Sequence, residues 1–79
     1  MVTEIESLTN LIWLVENDGY VSIGQVGPIR CAAVASDEHN QLAALAKKPQ
    51  ESVAELLIRL DKAVEVAWSE EVFADEINE

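Results

Sequence analysis

Cysteine, glycine, proline, aromatic residues and positive charge are all scarce in this chain, and each shortage closes something off. Its 79 residues contain one cysteine, Cys31, so no internal disulfide can form. His39 is the only imidazole, and one Cys with one His cannot build a structural metal staple. Five Lys and Arg stand against fifteen Asp and Glu, for a net charge of −10. A chain so acidic is repelled by phosphate backbones and anionic lipid, so neither direct nucleic-acid binding nor membrane binding is expected. No apolar run approaches the roughly 18 residues of a spanning helix. The first residues, MVTEIES, are acidic rather than basic, unlike the start of a signal peptide. A cytoplasmic location is the resulting expectation, and a lone unpaired cysteine agrees with it.

Only three glycines and two prolines punctuate the chain, and no linker, repeat or low-complexity tract is visible. One small domain over 1–79 is expected, with 69–79 as an acidic C-terminal tail or short helix. A chain this size buries only about 60–65% of its unfolded surface. Ten of its apolar residues are alanines, which add little core volume. With disulfides and metal staples excluded, oligomerisation is the remaining support, and a homodimer is expected.

What is present begins with the segment from Ser52 to Trp68, the longest periodic stretch. Val53, Leu56, Leu57, Leu60, Val64 and Trp68 fall on one face at 3.6 residues per turn. Ser52 and Glu55 form a capping box, and Pro49 discourages a helix running in from upstream. Glu55 and Arg59, four apart, suit an ion pair. Ile58 and Val66 share a second face, and a helix apolar on two faces is usually buried on two. In so short a chain, another subunit is the natural cover for the second face.

The remaining elements follow in order. In residues 3–17, Thr3 and Glu6 make a second capping box, and Ile5, Leu8, Leu11, Ile12 and Val15 make a helical stripe. Gly19 suits a left-handed helix end. The rival reading makes 11–16 a strand. Residues 20–35 read as a β-hairpin turning at Gly27-Pro28. A two-residue loop there pairs Ile23 with Ala32 and Val21 with Val34. Residues 36–48 read as a helix capped by Ser36, with Leu42, Leu45 and Ala46 inward and Pro49 as its stop. The expected fold is therefore α+β: N-terminal helix, β-hairpin, then a two-helix hairpin. A three-stranded antiparallel meander followed by two helices is the runner-up.

Candidate chemistry is thin. Cys31 and His39 could in principle form an activated thiol, but a small cysteine within a strand is commonly buried and inert. Asp37, Glu38, His39 and Asn40 are metal-ligand types, yet consecutive helical positions diverge, and capping explains them better. Gly24 to Gly27 lacks the Lys-Ser/Thr and third glycine of a phosphate loop. No catalytic, cofactor-binding or metal-binding residues are therefore expected, and no cofactor. The tail acids Glu70, Glu71, Asp75, Glu76 and Glu79 suit a solvated segment held by Phe73. Trp13, Ile58, Val66, Trp68 and Phe73 are the candidate interface residues, since large aromatics are enriched at binding surfaces. The expected function is a non-catalytic interaction or adaptor module that self-associates. The alternative is an acidic, antitoxin-like or nucleic-acid-mimicking inhibitor of a basic partner protein.

Overall fold

The computed structural model describes residues 8–77. Its elements are α1 (Thr9–Glu16), β1 (Tyr20–Val26), β2 (Ile29–Ser36), β3 (Gln41–Ala46), α2 (Val53–Glu70) and β4 (Ala74–Asp75). The class is α+β: a helix, a three-stranded antiparallel meander, then a second helix. The strands lie in the order β1-β2-β3-β4, with β4 parallel to β3. The capping box at Thr3 and Glu6, and Ile5 of the expected stripe, lie outside the described residues. Among the described residues, no helix is long and apolar enough to cross a membrane.

One core binds the layers together. Leu8, Leu11 and Leu14 from the α1 region meet Leu56, Leu60, Val64 and Ala67 of α2 over Ala33, Ala35, Ala43 and Leu45 of the sheet. Helix α2 starts at the capping box the sequence announces. The Glu55 N–H donates to Ser52 Oγ at 3.0 Å, and the Ser52 N–H donates to Glu55 Oε1 at 2.8 Å. Helix α1 has no cap of its own. Asp61 of α2 supplies one, accepting the Leu11 N–H at 2.9 Å and the Asn10 side-chain Nδ2–H at 3.0 Å. An eight-residue helix is marginal alone, so α1 is held by α2 through both apolar and polar contacts.

The main correction concerns residues 36–48. They do not form the first arm of a helical hairpin. Residues 37–40 make a turn in which the Asp37 carboxylate accepts the N–H groups of His39 and Asn40, at 2.8 and 2.7 Å. Those bonds hold its carboxyl below the ordinary range. Gln41–Ala46 then runs back as β3. Leu42 and Leu45 are three apart, as on a helix face, yet both reach the core. A register irregularity between Ala35 and Ser36 allows this in a strand. Strand β3 is paired on both edges and buried from Leu42 to Leu45. A strand covered on both faces reads as a continuous apolar run, and burial there outweighs alanine's helix preference.

Three smaller corrections follow. The hairpin turns at Gly27, φ 56°, as expected, but a bulge slips the pairing by one. Ile23 faces Ala33 and Val21 faces Ala35. Arg30 and Cys31 together oppose Gln25, and Gly24 accommodates the break with φ 145°. At the end of α1, Asp18 rather than Gly19 takes the left-handed conformation, φ 74°. The tail does not hang from Phe73. Glu71 ends α2 at φ 58°, and β4 then pairs with β3.

Candidate functional site

Two surface regions stand apart from the core. The first is built on α1. Its buried residues are Leu11 and Leu14, so Ile12, Trp13 and Val15 face outward. The expected stripe used Ile12 and Val15; packing rotates it to Leu8, Leu11 and Leu14. Trp13 is 56% exposed and meets Trp68 edge to face, with ring centroids 5.2 Å apart at 80°. Trp68, placed by periodicity on the buried stripe of α2, is itself 39% exposed. The pair forms a wall between two hollows. One, of about 440 Å³, is lined by Thr9, Asn10 and the two tryptophans. The other, of about 250 Å³, reaches the 37–39 turn.

Beyond α1 lies the sheet edge. A largely apolar groove of about 330 Å³ runs between Leu8, Leu11, Ile12, Val15 and Glu16 of the α1 region and Val21 of β1. Ile23, two residues along the same face of β1, is 44% exposed because α2 packs over β2 and β3 instead. Residues 19–36 contain no acid at all and one charge, Arg30. In a chain of net charge −10, this strand pair is an acid-free island.

The structure brings together only part of the expected interface set. Trp13 and Trp68 touch. Ile58 is exposed on the solvent side of α2, where Glu55, Lys62 and Glu65 surround its helical position. Val66 is half-buried, about 80° around the helix from Ile58. Phe73 lines a separate hollow with Asn40 and Gln41. Cys31 and His39 do not converge. About 16 Å of strand separates Cys31 from the end of β2, and His39 lies in the turn beyond it. Among the described residues, no three His, Cys, Asp or Glu side chains gather as metal ligands.

The second region went unnoticed in the sequence, where the cations look scattered. Arg30, Lys47 and Lys48 share an open hollow of about 540 Å³ with Ile29, Cys31 and Pro49. The Lys47 N–H donates to the Cys31 carbonyl at 3.0 Å, which closes this end of the β2–β3 ladder. Arg59 braces the loop from below. Its guanidinium grips Glu51 with two bonds, 2.7 Å from Nε and 3.0 Å from Nη2. It also donates to the Ala46 carbonyl at 2.9 Å and to Glu76 at 2.8 Å. The expected Glu55–Arg59 pair is not made, because the capping box occupies Glu55. The Arg59 bonds hold the Glu51 carboxyl down at about 2, helped by the Lys48 N–H.

Fold and surface thus define a small α+β domain with an apolar flank at one sheet edge and a basic hollow at one sheet end. No protein-family model matches the chain, and no curated protein and no solved structure is significantly similar to it.

Proposed function

We propose that this chain is a non-catalytic protein-interaction module that pairs with a second copy of itself along α1 and the β1 edge. One observation carries the reading: an uncharged edge strand lies beside uncovered apolar side chains. Edge strands are normally blunted by charge, proline or bulges that turn them away. Strand β1, YVSIGQV, has no charge and no proline along its seven residues. Its one bulge lies at the turn end, after Gly24.

The occupant follows from charge. Two copies of a chain carrying −10 repel each other unless they meet across acid-free surface. Residues 19–36 provide it along β1, with Glu16 the one acid at its α1 margin. Pairing β1 with β1 of the second copy about a two-fold axis makes the contact self-complementary. It satisfies backbone groups along the edge and covers Ile12, Val15 and Ile23. A standard interface takes about 800 Å² from each partner, roughly a sixth of the 5145 Å² surface here. Ile12, Trp13, Val15, Tyr20, Ile23 and Trp68 are all exposed and belong to α1, β1 or the tryptophan pair.

Sedimentation equilibrium tests this. The wild-type chain is expected to sediment as a dimer, and Ile23→Lys or Val15→Glu as monomers with unchanged far-UV circular dichroism. A wild-type chain that stays monomeric at high micromolar concentration sinks the reading, as does a dimer that both variants leave intact.

A further inference from the structure

Three of the five cations of this acidic chain converge on one concavity, and that needs a reason. Like charges repel, so gathering Arg30, Lys47 and Lys48 costs stability unless something negative answers them. The acid of the adjoining loop, Glu51, answers only Lys48, and that through charge at a distance rather than in an ion pair. Glu51 is gripped by Arg59 through two bonds. Neither the Arg30 nor the Lys48 side chain makes a hydrogen bond or ion pair with the described residues. Among the described residues, Lys47 Nζ finds only the Lys48 carbonyl, at 3.3 Å. Counted with Arg59, Glu51 and Glu76, these six groups sum to +2 while the whole chain carries −10.

The hollow is also held in shape without a ligand. The Lys48 N–H donates to Glu51 Oε1 at 3.0 Å, and the Glu51 N–H donates to the Lys48 carbonyl at 3.1 Å. With the bonds from Lys47 to Cys31 and from Arg59 to Ala46, residues 46 and 47 are tied to neighbouring elements and Lys48 is tied across the loop to Glu51. A pre-shaped loop loses little entropy on binding. The volume of about 540 Å³ falls in the range of small-molecule sites. Its walls are of two kinds: cations on Arg30, Lys47 and Lys48, and apolar surface on Ile29, Pro49 and Cys31.

We propose that this hollow binds a small phosphomonoester, with the phosphoryl group on Arg30, Lys47 and Lys48 and an apolar body against Ile29 and Pro49. Three cations suit a phosphate dianion better than a single carboxylate charge. Arg30 offers the planar fork that meets two phosphate oxygens at once, and the lysines add point charge. The net −10 does not forbid this, because charges beyond about 8 Å are largely screened at physiological salt. The site lies at the turn end of the hairpin and stands independently of the self-association proposed above.

Amide chemical-shift titration of the full chain at low salt is the test, with phenyl phosphate, inorganic phosphate and benzoate as probes. Phenyl phosphate is expected to saturate, with shifts centred on residues 29–31 and 47–49. Inorganic phosphate should bind the same amides more weakly, since it has no body to cover Ile29 and Pro49, and benzoate more weakly than phenyl phosphate. The double variant Arg30→Ala/Lys48→Ala changes two exposed side chains that make no structural bond. It should keep its spectrum and lose about tenfold or more in affinity. Failure of phenyl phosphate to saturate, shifts spread over the whole surface, equal binding by the double variant, or tighter binding of benzoate would each overturn the proposal.

Discussion

Gly19 shows how one residue can matter for a reason other than the usual one. It is not needed for positive φ, since Asp18 takes the left-handed position. It is needed for space. A Cβ at position 19 would lie 2.6 Å from Leu14 Cγ and 2.7 Å from the Ser36 carbonyl oxygen. Leu14 is among the largest fully buried side chains, and the Ser36 carbonyl is backbone. Neither can step aside cheaply. Gly19→Ala is therefore expected to destabilise the fold by about 1–3 kcal/mol, the typical cost of overpacking, as read from urea unfolding midpoints. Gly27, with open space around its Cβ position, should respond through its φ of 56° alone.

At the scale of elements, α1 and α2 contrast. Helix α2 carries its own start signal and enough periodic leucine to be recognised by spacing. Helix α1 borrows its cap from Asp61 of α2, more than forty residues away in the chain. Asp61→Ala is expected to cost about 1 kcal/mol, the usual value of a lost N-cap. Helical signal should fall and the combined fluorescence of Trp13 and Trp68 should change as α1 loosens from α2. Strand β3 is the element that spacing misreads. Leu42, Leu45 and Ala46 sit at helical intervals, and nothing local says that the 37–40 turn is a hairpin. The pairing with β2 on one side and β4 on the other decides it, and those partners are distant in sequence. The tryptophan wall was half legible: Trp13 falls off the α1 stripe by spacing, but only the crossing of the two helices places Trp68 against it.

At the scale of the whole molecule, Arg59 joins three parts of the chain. It ties α2 to the 47–52 loop through Glu51, to the end of β3 through Ala46, and to the C-terminal segment through Glu76. Glu76 answers with its other oxygen, accepting the Ala46 N–H at 3.0 Å. This closure gives a defined pH dependence. The Glu51 carboxyl titrates at about 2 in the folded chain, against an ordinary value of 4.5. A depressed folded value means that the unfolded chain takes up the proton first as pH falls. The stabilisation from Glu51 is thus fully present above about 4.5 and is lost as pH falls toward 2. Unfolding midpoints of wild type and Glu51→Gln should differ most at neutral pH and converge as the solution is acidified through that window. A gap that stays constant with pH would show that the ionisation of Glu51 contributes nothing to folding.

Local pattern by itself determined the α2 helix with its capping box, the hairpin turn at Gly27-Pro28, the α+β class and the acidic balance. Each rests on neighbours within a few residues or on simple counting. The tertiary structure decided the rest: β3 instead of a helix, the slipped hairpin register, the cap on α1 and the pinned tail. The two surface regions belong with these. Arg30 and Lys47 are far apart in the chain, and only the antiparallel run of β2 against β3 brings them to one hollow. Ile12 and Val15 read as core by period, and only the sideways position of α2 over the sheet leaves them beside a bare edge. Periodicity records which face a residue shares; it carries no information about which distant strand, helix or loop that face will meet.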